Sequence, residues 1–313
     1  MKKNSLLMWI PLFLIFVIIL AKKPEEKKIN VAILNGPSCI PIVQMMDTDS
    51  ENYSFEKYAD PQGLLPKLLK NEVQIGFLPL NVAAKAYNLS EKIKCVAICG
   101  NGNLSLVTKD ANIKQFSDIK DKEVYVAGQG STPEYMFLYL LNQNGIKANL
   151  NFSVPTANIP SYLIENQIDY AVLPEPFATI ATNKDSNLKK AIDFQEEFKK
   201  FNKEFENYPL TVIVCTKDFA KKNPDLINDF LDEYKKSLEN TLNHPKIAAE
   251  YTQKHELGLN AQIVEKIIPY SSYVYVPANQ AKEQIYNLLN IFQQIDKKSI
   301  GPKLPDENFF YSE

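Results

Sequence analysis

The chain has 313 residues, 45% of them hydrophobic and 23% charged, and a net charge of −2. That composition describes a globular protein with room for two ordinary domains, and it carries no basic footprint for nucleic acid. All 35 basic residues are lysines, so no planar guanidinium is available to clamp a carboxylate or phosphate through two parallel hydrogen bonds.

Lys2 and Lys3 precede an apolar run from Leu6 to Ala21, and the charged stretch Lys22 to Lys28 follows it. A basic start, a short apolar core and an abrupt polar exit predict an export signal. The run also reaches the lower limit for spanning a bilayer, so it fits a retained anchor equally well. Ile19-Leu20-Ala21 is a mediocre cleavage site. No cysteine follows closely enough to mark a lipoprotein, the nearest being Cys39. The expected location is extracytoplasmic, in the periplasm or anchored at the outer face of the cytoplasmic membrane, with residues 1–28 set aside as signal or anchor and linker.

From Lys28 onward short apolar runs alternate with amphipathic stretches. Ile29 to Leu34 reads as a strand ended by Gly36-Pro37, after which Ser38 is placed to cap a helix through Met46. Tyr53 to Tyr58 predicts a strand, Pro61 to Leu69 a helix, Val73 to Leu78 a strand, Asn81 to Tyr87 a helix and Lys94 to Ile98 a strand. A second unit follows Thr108-Lys109. Glu123 to Ala127 reads as a strand, and Gly128-Gln129-Gly130 turns into a helix from Thr132 to Asn144, stopped by Gly145. Asp169 to Leu173 is another strand, and Pro176 to Thr182 opens another helix. Leu210 to Val214 is strand-like, and the rest is nearly all helix. Asn223-Pro224-Asp225 starts one helix, and Ile285, Leu288, Leu289, Phe292 and Ile295 stripe the last.

The pattern predicts an α/β protein of two lobes, each a mainly parallel sheet flanked by helices. Residues 29–109 and 208–313 form lobe 1 and 110–207 lobe 2, with a hinge at the two crossings.

Ligands of open parallel sheets gather beyond the carboxyl ends of the strands, at helix N-termini. Asn35-Gly36-Pro37-Ser38 and Gly130-Ser131-Thr132 have that place, one in each lobe. Their small residues admit a ligand to backbone N–H groups. Ser131 with Glu134 also has capping-box spacing, so the second turn serves equally as a well-made helix start. Glu175, between Pro174 and Pro176, and Asn81, after Pro79, hold matching strand ends. Tyr135 lies one turn into the second-lobe helix, where its ring could face a flat ligand.

Cys95 and Cys99, four apart on a strand at roughly 3.3 Å per residue, sit about 13 Å from each other and cannot pair; pairing of Cys39 with Cys215 is left open. His244 and His255 are the only histidines, and they accompany no motif that needs a base or a metal ligand. No Walker sequence or nucleophile elbow is present, and Gly128-Gln129-Gly130 lacks the third glycine of a dinucleotide loop.

The runs VAILNGPSCIPIVQMMD, VQIGFLPLNVAAKAY, VYVAGQGSTPEYMFLYLLNQNGI and DYAVLPEPFATIA resemble periplasmic-type binding proteins of the sulfonate, nitrate and thiamine-pyrimidine-precursor family. The likeness extends over nearly the whole chain after residue 28, to the closing KSIGPKLPDENFFY. It implies the type II periplasmic-binding-protein fold and a non-enzymatic, monomeric solute-binding subunit of an ABC importer. It further implies a membrane permease and cytoplasmic ATPase as partners, no cofactor, and a small anionic, sulfonate-like or heteroaromatic ligand. Carried over by position, the cleft would be lined by Gly36, Pro37, Ser38, Asn81, Gly130, Ser131, Thr132, Tyr135 and Glu175. Cys39 and Ile40 depart from the small residues expected after the first turn. The alternative is an enzyme of the related pyrimidine-forming branch, which needs histidine and a cysteine-rich iron site.

Overall fold

The computed structural model describes residues 28–49 and 51–312; the expected export segment lies outside them. Strands β1 (Ile29–Leu34), β2 (Tyr53–Tyr58), β3 (Ile75–Pro79) and β4 (Ile93–Asn101) begin one sheet. Strands β5 (Leu104–Thr108), β6 (Glu123–Val126), β7 (Asn149–Asn151), β8 (Tyr170–Pro174) and β9 (Lys189–Asp193) build a second, and β10 (Pro209–Thr216) and β11 (Tyr273–Pro277) return to the first. The orders are β11-β4-β10-β3-β1-β2 and β7-β6-β8-β5-β9.

Both sheets keep one dominant direction. In the first, β2, β1, β3 and β4 run one way, and the returning β10 and β11 run the other. In the second, β7, β6, β8 and β9 are opposed only by β5. Central strands read as continuous apolar runs because helices cover both faces. Helices Pro61–Leu69, Leu80–Ser90 and Lys282–Ile295 bury one face of the first sheet, and Val43–Thr48, Pro224–Asn243 and Pro245–Lys254 the other. Asp60 accepts from the Gly63 N–H (3.0 Å) and so caps the helix that Pro61 starts. No helix among the described residues is long and apolar enough to cross a membrane.

The first crossing falls earlier than the sequence predicts. β5 pairs with β8 and β9, not with any strand of the first sheet, so the chain crosses between Asn101 and Leu104 and not at 109. The run Leu-Ser-Leu-Val-Thr is buried throughout, and an apolar pattern alone does not say which sheet it joins. β9 escapes the sequence pattern because three of its five residues, Lys189, Lys190 and Asp193, are charged and only Ile192 is buried.

The two crossings lie side by side. The Gly102 N–H donates to the Tyr208 carbonyl (2.8 Å), and the Asn207 side-chain amide donates to the Gly102 carbonyl (3.2 Å). A Cβ on Gly102 would stand 2.2 Å from the Tyr208 ring, so only glycine lets that buried ring pass. Beside them helix Thr132–Gln143 of the second lobe packs on Lys282–Ile295, with Tyr135 against Phe292 at 5.4 Å between centroids. One apolar core therefore runs from the first sheet into the second lobe.

Candidate functional site

β4 ends at the first crossing and β5 begins there. Strand pairing then orients the carboxyl ends of β1 and β3 from one side, and of β6 and β8 from the other, toward the gap between the sheets. That gap is where an α/β fold of this kind presents helix N-termini and loops to a ligand.

Two of the predicted residues meet across it. The Asn81 amide nitrogen donates to the Gly130 carbonyl at 3.2 Å. Asn81 is buried, and its Oδ1 has no hydrogen-bond partner; the same holds for Oγ1 of the buried Thr132. Gly130 has a φ of +73°, and Gly36 one of +124°; a Cβ on either would meet nothing within 4 Å. Both glycines thus front open space, as an approach to backbone requires.

The second-lobe turn is not built as a capping box. Ser131 stands at the N-cap, but its hydroxyl donates back to the Gly128 carbonyl and makes no capping bond. Glu134 reaches past the N-cap and accepts from the Gly130 N–H. A carboxylate of this chain therefore already occupies a donor that an anion would use. Ser38 is likewise no cap. Gly36 precedes a 3-10 turn, Pro37–Ile42, before helix Val43–Thr48, because Pro37 and Pro41 deny the backbone donors an α-helix needs there. The Pro37 carbonyl accepts from the Tyr273 hydroxyl (2.7 Å), which ties this loop to β11.

Tyr135 is not a platform for a flat ligand. Its ring packs on Phe292 and its hydroxyl reaches Asp296 at 3.5 Å. Burial, and then the Asp296 carboxylate, push its pKa up to about 12.

Glu175, 3% exposed, is held by its own lobe. It accepts from Lys190 and from the Thr179 N–H (3.2 Å), and Lys190 also donates to the Thr179 hydroxyl (2.9 Å). The Lys190 ammonium in turn lies 5.0 Å from the ring centroid of Tyr270, which belongs to the other lobe. Glu175, Lys190 and Tyr270 wall a cavity of about 310 Å³ between the sheets, with Asn103 and Ser272 also in its lining. Of the nine predicted residues only Glu175 lines it. Lys190 escaped notice with its strand. The Asn101-Gly102-Asn103 run, polar and glycine-containing between two apolar strands, was the one signal available for Asn103.

The remaining titratable groups stand elsewhere. His255 lies 3.3 Å from Asp47 at the end of helix Pro245–Lys254, and His244 precedes that helix. All four cysteines are free and buried, so Cys39 and Cys215 do not pair. Among the described residues no group of three or more His, Cys, Asp or Glu side chains could hold a metal ion.

Comparison with known proteins settles the family. The NMT1/THI5-like family model matches residues 54–248. The chain belongs to the NMT1/THI5-like family. No curated protein matches its sequence. Among solved structures it is similar to an ABC transporter protein from Parabacteroides distasonis, 26% identical with a TM-score of 0.78, over 91% of this chain and 99% of that one. It is also similar to the periplasmic aliphatic sulphonate-binding protein of Escherichia coli (15% identical, TM-score 0.73, 93% of each chain). A third likeness is to the ligand-binding component of an ABC-type import system from Staphylococcus aureus (16% identical, TM-score 0.71, 91% of this chain and 97% of that one). The last two share the fold of this NMT1/THI5-like protein.

Proposed function

We propose that this chain is the extracytoplasmic solute-binding subunit of an ABC importer. It captures a small molecule between its two lobes and delivers it to a membrane permease driven by a cytoplasmic ATPase. It acts as a monomer and catalyses no reaction. The observation that carries this reading is the contact of Asn81 with Gly130, a hydrogen bond across a gap that two chain segments cross among the described residues. A ligand that touches both lobes stabilises the closed arrangement by its contacts on the second lobe, and by no more than those. The printed names of the similar structures, with ABC transport or import in two and sulphonate binding in one, support the class of activity.

An enzyme of the pyrimidine-forming branch finds no support in the site, since His244 and His255 flank helix Pro245–Lys254 and neither lines the cavity between the sheets. Solution scattering tests the proposal. Titration with a ligand found by thermal-shift screening should shrink the radius of gyration, whereas an unchanged radius at saturation would exclude closure.

A further inference from the structure

We infer that the solute is a hydrogen-bond donor, neutral or cationic, and not a sulfonate or another oxyanion. This rests on the solute-binding reading above and narrows it. The first ground is the second-lobe turn. Its helix start looks like an anion cradle in sequence, but the Gly130 N–H is taken by the Glu134 carboxylate and the Ser131 N–H by the Gly128 carbonyl (3.2 Å). Pro133 has no N–H to offer. An oxyanion at the Gly130 N–H would have to displace Glu134, and one at the neighbouring Thr132 N–H would sit beside the Glu134 charge.

The second ground is the set of acceptors between the lobes. Asn81 Oδ1 and Asn103 Oδ1 are enclosed without a hydrogen-bond partner, both residues are more than nine-tenths buried, and of the two it is Asn81 whose amide orientation is fixed. Asn81 cannot be turned round, because its Nδ2 donates to the Gly130 carbonyl and the reverse would set oxygen against oxygen. Buried acceptors of this kind are costly unless a donor reaches them. A ligand N–H or O–H, seated as the lobes close, meets that need. An oxyanion brings only more acceptors. The Thr132 hydroxyl, also without a partner, serves either kind of group.

The third ground is charge in the cavity that Asn103 lines, whose wall includes neither Asn81 nor Gly130. Both cations lining the cavity are already held by carboxylates. Lys190 pairs with Glu175, and Lys199 with Glu196 (3.2 Å) and Glu206 (3.3 Å). With Asp193 also in the lining, the acids outnumber the lysines, and the field favours positive charge.

Calorimetric titration of the full chain decides the matter, with ethanesulfonate as the oxyanion probe, cytosine as the neutral donor and benzamidine as the cationic one. At least one donor probe should bind about tenfold or more tightly than ethanesulfonate, the usual scale for one well-made or misplaced charged hydrogen bond. Glu134→Ala, which frees the Gly130 N–H and removes the charge, should strengthen ethanesulfonate binding by a similar factor. Glu134→Gln, which removes the charge and keeps an acceptor, should move it the same way by less. Ethanesulfonate binding the native chain as tightly as the better donor probe would overturn the inference, as would both variants leaving its affinity unchanged. If no probe of either class binds and no compound found by thermal-shift screening alters the radius of gyration, the solute-binding reading itself fails.

Discussion

Asn81 and Gly130 lie 49 residues apart in sequence and 3.2 Å apart in space, joined by a hydrogen bond from a first-lobe side chain to a second-lobe carbonyl. The bond is weak support by itself, because Asn81 leaves its own Oδ1 buried without a partner. A hydrogen bond contributes about 0.5–1.5 kcal/mol net, and an enclosed orphan costs a comparable amount. The pair therefore tips the lobes little in either direction, and the packing of Tyr135 on Phe292 is an apolar contact that joins them.

Asn81→Ala removes the bond and the orphan together. Unfolding in urea should show a stability change of about 1 kcal/mol or less, and the scattering radius of the ligand-free variant should match that of the native chain. A larger radius would mean that this contact is a net support of the closed arrangement.

Gly102 is the position where the hinge has least room. An alanine methyl would enter the ring of Tyr208, which is buried and accepts no shift without moving Phe198 (5.2 Å between centroids) and Gln195, the acceptor of its hydroxyl (2.9 Å). Gly102→Ala should cost about 1–3 kcal/mol, the usual penalty of overpacking, read as a lower urea midpoint at unchanged slope. Combining it with Tyr208→Leu should recover part of that loss. Full stability of the single variant would show that the crossing segments separate easily.

Most of the fold was legible in the sequence because covered strands announce themselves. Ile29–Leu34, Tyr53–Tyr58 and the helices Pro61–Leu69 and Pro224–Asn243 lie where apolar period and proline starts place them. What was not legible is pairing over long range. Leu104–Thr108 reads as a strand in either lobe, and β9 hides behind its lysines. The site was read in outline only. Gly36 and Gly130 front open space, but no spacing rule could reveal that Glu134 folds back onto the Gly130 N–H or that Lys190 claims Glu175. The left-handed backbone of Gly130 also makes a β-branched residue there a poor probe of ligand approach, since strain and obstruction would be confounded.

Lys190 and Glu175 form the partly buried pair of the cavity wall. Lys190→Met leaves a 3% exposed carboxylate with the Thr179 N–H and no cation. A loss of about 1–3 kcal/mol is expected, less than for a fully buried pair because solvent reaches the lysine. Adding Glu175→Gln should restore most of it. A double variant as unstable as the lysine variant would show that the Lys190 ammonium over the Tyr270 ring matters more than its pairing with Glu175.

The cysteines give a prediction in pH. Burial pushes the thiols of Cys39 and Cys215 up to about 12 from an ordinary value of 9.0, and those of Cys95 and Cys99 also rise. Because the thiolate is the reactive form, the folded protein should resist a thiol reagent at pH 8, and all four groups should react once denaturant unfolds the chain. The sign of the linked stability follows from the same shifts. A raised folded pKa means that the unfolded chain loses these protons first. The contribution is therefore intact below about pH 9 and is lost as pH climbs toward 12. Urea midpoints taken from pH 8 to 11 should fall steadily in the native chain and less steeply in Cys39→Ala. Rapid modification of Cys39 in the folded protein at pH 8, located by peptide mapping, would show that solvent reaches it, and the burial that anchors the Pro37–Ile42 turn would then be wrong.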